Sequence, residues 1–388
     1  MNIVFYYHLD ILPEMGGTER ATYALAQELA TRNIRSIFLA HARHDCNPTG
    51  NTTEFLQKYL PNSSVLDCPE NEEYIHSLCQ NEEVDVFINQ DVMNQETLFF
   101  SKLRFPEIKL IGICHFSLYG GIHHFEDYFK QRYILGHSSL WKYLIQRLLT
   151  PLYKYRLRNM QHCFLKQIYE SNDRIVLMSE QEKRYYPVVD RSRLVSIPNP
   201  VTLKRRVDCA CIKEKLILVV SRMVYVYKRI DYFLQIWKRL ESLFPDWKVN
   251  ILGDGACRSY YSNLSKKLKL QHVSFCGRVI PDDFYARASI ICSTSTNEGF
   301  GLTLTEGMAH GCVPIAFNSF STARDIIDHE KNGFLISPYN IEEYTSKLKC
   351  IMADGSLLTS MSKQAEAKVK EFAPHCIGEK WCRILSEI

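Results

Sequence analysis

Short apolar runs alternate with longer stretches of helical periodicity along most of this chain. Residues 3–7, 36–40, 84–89, 110–115, 174–178 and 194–197 form a first series of runs, each long enough for one buried strand. Residues 216–221, 248–253, 273–277, 290–293, 313–317 and 333–336 form a second series. Between them, apolar positions three and four apart predict helices over 20–32, 231–243, 259–268, 281–287 and 304–310. Runs without polar alternation are strands covered on both faces. Their alternation with helices predicts an α/β fold with parallel sheets.

The two series are separated by Ile197-Pro198-Asn199-Pro200 and a charged stretch from Lys204 to Asp208. Two prolines around an asparagine continue neither a helix nor a strand ladder, so this segment reads as an interdomain linker. The expected organisation is a Rossmann-like domain over 1–198 and a second over 199–371, with no internal repeat. In such sheets a ligand lies outside the carboxyl ends of the strands, here in a cleft between the two halves.

Composition narrows the classes. The 388 residues are 46% hydrophobic and 23% charged, which is ample for two cores and leaves no disordered or low-complexity tract. A net charge of +4 is too small to point to nucleic acid, and no recognition motif accompanies the basic residues. The N-terminus reads as a first strand rather than a basic leader with an apolar core. No apolar run approaches the roughly 20 residues that span a bilayer. The expectation is a cytoplasmic protein that meets a membrane only at its surface. The 14 cysteines lack a C-x-x-C pair, Cys209-Ala-Cys211 being the nearest approach. Several, including Cys114, Cys163, Cys276, Cys292 and Cys312, fall in apolar patterns and read as reduced, buried thiols.

Candidate chemistry lies at the ends of strands. After the first run, Gly16-Gly17-Thr18 leads into a helix, with Thr18 the expected N-cap. Bare backbone there suits an anion, although a simple capped turn explains the same residues. Gly253-Asp254-Gly255 is no dinucleotide fingerprint, because Arg258 stands where its third glycine would be. Arg222 and Lys228 follow the first run of the second series, at the end where an anionic ligand would be met.

The densest signal is Glu298-Gly299-Phe300-Gly301-Leu302-Thr303-Leu304-Thr305-Glu306. Gly299 and Gly301 free the backbone at the mouth of a helix, where the amides near Leu302 and Thr303 can hold a phosphate. Glu306, on the first turns, can accept two vicinal hydroxyls such as a ribose presents, while Glu298 stands closer to a second group of hydroxyls. No D-x-D occurs, so the usual carrier of a divalent ion is missing and Arg222, Lys228 and helix N-termini would neutralise a diphosphate instead. His115 closes a first-series run and can hydrogen-bond a sugar or acceptor hydroxyl; His123 and His124 follow in a loop. Residues 128–169 hold no acidic residue but eight basic ones interleaved with aromatics. That combination suits an anionic membrane surface, or equally a helix with its aromatic face on the sheet.

These pieces together resemble the GT4 family of retaining glycosyltransferases, over nearly the full length and most densely from residue 219 to 336. The resemblance rests on the Gly16-Gly17 loop, Ile197-Pro198-Asn199-Pro200, Ser221-Arg222 with Lys228, Gly253-Asp254-Gly255, Phe275-Cys276-Gly277 and the E-x7-E of Glu298 and Glu306. It implies a GT-B fold, two Rossmann-like domains facing across a cleft, with residues 372–388 crossing back to the first domain. It places Arg222 and Lys228 on the donor diphosphate and Glu306 on the ribose. Glu298, Gly299, Phe300 and Gly301 would meet the donor sugar, with backbone support from Leu302 and Thr303. Gly16 and Gly17 would approach the diphosphate, and Gly277, Arg278 and Val279 would line the base pocket. His115, Tyr119, His123 and His124 would face the acceptor, His115 also the sugar. His115, Arg222, Lys228 and Glu298 would form the catalytic set, with no metal and no cofactor. The pattern departs from the family at Ser221, where glycine is common, and in an Arg-to-Lys spacing one residue longer, which leaves Arg229 as an alternative to Lys228.

The activity implied is retaining transfer of a hexosyl unit from a nucleoside-diphosphate sugar, UDP before GDP, to an acceptor hydroxyl. The expected acceptor is a polyprenyl-diphosphate-linked saccharide of capsular, exopolysaccharide or O-antigen synthesis. A nucleotide-sugar 2-epimerase and a non-catalytic sugar-nucleotide scaffold are the rival readings.

Overall fold

The computed structural model describes residues 1–44, 54–103, 107–201 and 212–388. The charged stretch 204–208 and Cys209-Ala-Cys211 lie outside the described residues. The chain divides into two compact units. The first comprises Met1–Leu118, Asn159–Thr202 and Phe372–Ile388, the second Tyr119–Arg158 and Leu203–Glu371.

The first unit is built on β1 (Asn2–Leu9), β2 (Arg35–Ala42), β3 (Leu56–Tyr59), β4 (Val86–Asn89), β5 (Lys109–Cys114), β6 (Arg174–Leu177) and β7 (Leu194–Ser196). They form one parallel sheet in the order β3-β2-β1-β4-β5-β6-β7. Ile3 pairs with Ser36 on one side and Val86 on the other, so the chain reverses its direction of travel at β1. That switch leaves a crevice at the carboxyl ends of β1 and β4, where Gln90 emerges. The core there is aromatic, with Tyr6, Phe87, Phe99 and Phe100 buried together. The edge strand β3 has no counterpart in the apolar pattern. Its Leu-Gln-Lys-Tyr is only partly covered, and an edge strand needs no continuous apolar run.

The second unit repeats the plan with β8 (Glu214–Val220), β9 (Lys248–Leu252), β10 (Val273–Gly277), β11 (Ala288–Ser293), β12 (Val313–Phe317) and β13 (Phe334–Ile336). Their order is β10-β9-β8-β11-β12-β13, again all parallel. Here the switch lies between β8 and β11. The loops that carry Arg222 and Glu298 leave from those two neighbouring strands.

Grouping by contact differs from a simple division at residue 198, because Tyr119–Arg158 belongs to the second unit. The cause lies in the helix Phe125–Ile134. Gln131 Oε1 accepts from the amides of Tyr225 and Val226 at 2.8 and 3.2 Å, and Asp127 pairs with Arg229 at 3.3 Å. The last helix, Pro374–Ser386, packs on Gly17–Ala30 within the first unit. A Cβ on Gly378 would stand 2.4 Å from Glu28 Cγ, so glycine sets how closely the two helices approach.

Cys114, Cys292 and Cys312 are buried free thiols, and burial pushes the Cys292 thiol up to about 12. Cys163, grouped with them in sequence, is exposed. Among the described residues no helix is long and apolar enough to cross a membrane.

Candidate functional site

In the second unit the site is built outward from β8. Past Val220 the chain turns through Ser221, Arg222 and Met223 against the loop after β9. The Ser221 and Met223 amides donate to Leu252 O at 2.9 Å and Asp254 O at 2.8 Å. Gly253 has φ +120°, and a Cβ on it would lie 2.0 Å from the Ser221 carbonyl oxygen. Only glycine permits that approach, so Gly253-Asp254-Gly255 serves to shape the Arg222 loop. Gly253 N also donates to Gly277 O at 2.7 Å, which ties in the exposed Arg278 and Val279 just beyond. The Arg222 guanidinium is exposed and makes no ion pair among the described residues.

Lys228 ends a single turn, Tyr225–Lys228, and its Nζ stands 2.5 Å from Glu298 Oε1 with both side chains mostly shielded. Arg229, its alternative in sequence, is held elsewhere. In a left-handed conformation (φ +44°) it donates to both Asp231 oxygens at 3.0 Å and to Asp127, with the rings of Tyr225 and Tyr232 at 4.6 and 4.0 Å. A guanidinium stacked and paired in this way is structural, whereas Lys228 keeps further N–H groups beyond its bond to Glu298.

The loop after β11 is stitched to the Lys228 turn by Thr296 N to Tyr227 O at 2.7 Å and Thr294 Oγ1 to Arg229 O at 3.0 Å. Of its two glycines only Gly301 takes a positive φ, +99°, as N-cap of Leu302–Ala309. No side chain caps this helix, no acidic residue lies in its first turn, and the Leu302 and Thr303 amides reach no acceptor among the described residues. Such an end attracts an anion. The Phe300 ring is buried and its carbonyl accepts from Thr322 Oγ1 at 2.7 Å, leaving backbone as what the residue can offer a ligand. Glu306 is 1% exposed, and the Tyr285 hydroxyl donates to its Oε2 at 2.9 Å.

The segment before Gln131 meets the same corner. A Cβ on Gly120 would fall 2.2 Å from the Asn297 amide nitrogen, next to Glu298. Tyr119 stacks on His123 with ring centroids 6.4 Å apart, and His124 Nε2 lies 3.3 Å from the Tyr339 hydroxyl. Burial lowers His124 to about 4 and raises Asp127 to about 6, the latter against the pull of Arg229.

The first unit holds a separate polar group. Gly16, rather than Thr18, is the N-cap of Gly17–Ala30, in extended backbone and without a side-chain cap. The helix starts earlier than its apolar spacing suggests because glycines carry no pattern. Glu19 crowds this end, its Oε2 2.3 Å from where a Gly16 Cβ would be, and burial raises its pKa. An anion at Gly16 and Gly17 would meet that carboxyl group.

His115 follows β5, buried, and burial lowers its pKa to about 4, so it is neutral near pH 7. Its Nε2 lies 3.1 Å from Gln90 Oε1, which also faces the Thr22 hydroxyl. That hydroxyl has one proton and also faces Thr18 O at 2.8 Å. Turning the Gln90 amide over lets its NH2 serve both Thr22 and His115 without conflict. In either orientation one donor and one acceptor, on Gln90 and on His115 Nδ1, have no partner among the described residues. They line a cavity of about 10 Å³ with Asn199, between Pro198 and Pro200, and Trp381. A hydroxyl, both donor and acceptor, satisfies such a pair.

Sequence reasoning missed Asp127, Gln131, Asn297 and Tyr285, whose roles depend on partners far along the chain. It also passed over Gln90, although a polar residue ending β4 at a topological switch was a legible signal.

Comparison with known proteins agrees with this construction. An uncharacterized glycosyltransferase of Haemophilus influenzae is 33% identical over 216 residues, 55% of this chain and 61% of that protein. A Campylobacter jejuni enzyme, GalNAc-alpha-(1->4)-GalNAc-alpha-(1->3)-diNAcBac-PP-undecaprenol alpha-1,4-N-acetyl-D-galactosaminyltransferase, is 25% identical over 228 residues, 58% of this chain and 63% of its own. The matches thus span less than two thirds of either relative. The Anabaena protein HepE, solved with UDP and glucose, superposes over 100% of both chains with a TM-score of 0.70 at 16% identity, a likeness of fold. Two Rossmann-like parallel sheets of seven and six strands are the GT-B architecture. The model of Glycosyltransferase Family 4 matches residues 15–205 and that of Glycosyl transferases group 1 matches 211–368, and the chain belongs to this glycosyltransferase family.

Proposed function

We propose that this chain transfers a hexosyl unit from a UDP-sugar to a saccharide hydroxyl, with retention at the anomeric carbon and without a divalent metal. The observation that carries the reading is the arrangement around Leu302–Ala309. An uncapped helix N-terminus lies in the same loop as Glu298, whose carboxylate holds Lys228, and β8 beside it delivers the exposed Arg222. Amides, ammonium and guanidinium together offer a diphosphate the positive charge that a metal ion supplies elsewhere. Glu306, fixed by Tyr285, is the acceptor group for the ribose.

In the reaction the bond from the sugar C1 to the diphosphate oxygen breaks as an acceptor oxygen bonds C1 on the same face. The acceptor proton passes to the departing phosphate, whose charge Lys228 and Arg222 stabilise as it develops. Glu298 orients the sugar hydroxyls. No carboxylate is assigned as nucleophile. HepE was solved with UDP, which favours uridine, and the Campylobacter relative is named for an undecaprenyl-diphosphate-linked acceptor, which favours a lipid-linked saccharide.

The test is transfer from labelled UDP-sugars to a polyprenyl-diphosphate disaccharide, with product anomers assigned by NMR. Retention and full activity in excess EDTA are expected. An inverted product, a strict metal requirement, or epimerised donor in the absence of acceptor would overturn the respective part.

A further inference from the structure

The helix Leu140–Leu148 and the first turns of Thr150–Ser171 carry a face that none of the described residues covers. No residue of Leu140–Leu148 is buried. Trp141 is 77% exposed, Leu148 79% and Leu152 65%, with Leu144, Ile145 and Tyr155 also exposed. The other tryptophans, 237, 247 and 381, are all buried. Positions 141, 144, 145, 148, 152 and 155 fall at helical spacing, so they share one stripe. The opposite side anchors the helix. Tyr143 stacks on Tyr133 at 5.3 Å with Lys130 over both rings, and Thr150 is buried. Solvent-facing apolar stripes of this length mark interaction surfaces.

The charge around the stripe says what it meets. Lys142, Arg147, Arg156 and Arg158 are exposed, and no acidic residue occurs from 128 to 169. Lys154, by contrast, is tied to Glu126 and to His123 O. A tryptophan-and-leucine stripe flanked by free cations is the composition of a helix lying in the headgroup layer of an anionic bilayer.

We propose that this face inserts into the boundary of an anionic membrane. Trp141, Leu144, Ile145, Leu148 and Leu152 enter the acyl edge while Lys142, Arg147 and Arg156 meet lipid phosphates. The proposal is narrower than attraction of the whole basic segment, since Lys130 and Lys154 act inside the protein. It does not depend on sugar transfer.

The experiment uses the full chain with vesicles of phosphatidylcholine, with and without phosphatidylglycerol. Expected are flotation with the anionic vesicles, a blue shift of Trp141 emission that Trp141→Phe removes, and quenching by brominated lipid. Leu144→Glu with Leu148→Glu should abolish flotation while the circular dichroism spectrum is kept. Lys142→Gln with Arg147→Gln should weaken partitioning roughly 30-fold, about five-fold per cation. High salt should lower the bound fraction, while the protein that stays bound keeps Trp141 within reach of the quencher. Absence of flotation, or flotation unaffected by the two glutamates, overturns insertion. A native dimer that the glutamates split into monomers, without vesicle binding, assigns the stripe to a second copy of this chain.

Discussion

The two polar groups solve opposite problems. Around Leu302–Ala309 the charges are already matched, Lys228 to Glu298, Glu306 to Tyr285, and Arg229 to Asp231 and Asp127. Among the described residues, the Arg222 guanidinium, the remaining Lys228 N–H groups and the Leu302 and Thr303 amides stay open. In the first unit, Gln90 and His115 are buried with a donor and an acceptor unmatched. The first arrangement is preorganised, its dipoles fixed before any charge develops. The second keeps a donor and an acceptor open toward a cavity. A buried polar atom without a partner costs stability, so it marks a place where binding gains more than folding does.

The largest effect expected from breaking this contrast is at Arg229. Its replacement by alanine leaves the buried Asp231 and the half-buried Asp127 without their cation, at a cost of about 3–5 kcal/mol, read as a shifted urea midpoint. If Arg229→Ala unfolds like the parent, the matched character of this corner is wrong. Next is Arg222→Ala, which removes an exposed group and should leave the urea midpoint in place while kcat/KM falls on the order of 100-fold or more. Equal losses of stability and rate would contradict its role as an open anion contact.

His115 tests the unmatched side through pH. Its folded pKa, about 4, lies below the usual 6.5, so between these values the unfolded chain binds more protons and stability rises with pH. The contribution is complete above 6.5, is lost on acidification toward 4, and amounts to about 3 kcal/mol. His124 adds the same sign, while Asp127, raised by burial, has the opposite one between about 4 and 6. His115→Gln should flatten the acid limb of urea midpoints collected across this range. An unchanged limb would assign the whole effect to other groups. Smallest is Tyr285→Phe, which removes the hydroxyl from Glu306 at about 1–3 kcal/mol and should weaken UDP binding, measured calorimetrically.

What could be read from sequence followed what is local. The runs 273–277 and 313–317 are β10 and β12 to the residue, since buried parallel strands leave unbroken apolar signatures. The E-x7-E segment was legible because glycines, carboxylates and a helix start fall within nine consecutive positions. β3 escaped because an edge strand is half polar, and Thr18 was misread because Gly16 caps without a side chain. Arg229 and Asp127 stand 102 positions apart, and neither shows in sequence that the other will neutralise it. That pairing draws Tyr119–Arg158 into the second unit, a regrouping no compositional boundary announces.

The tight seat of Gly378 against Glu28 has a temporal consequence. Pro374–Ser386 leaves the ribosome long after Gly17–Ala30, on which it packs, and its Trp381 lines the cavity beside His115. Until residues 374–386 are made, the nascent first unit lacks one wall of that cavity, whereas the stretch through Glu371 already contains all of the second. Synthesis of residues 374–386 therefore closes the cavity beside His115, so that a product terminated before them lacks its Trp381 wall.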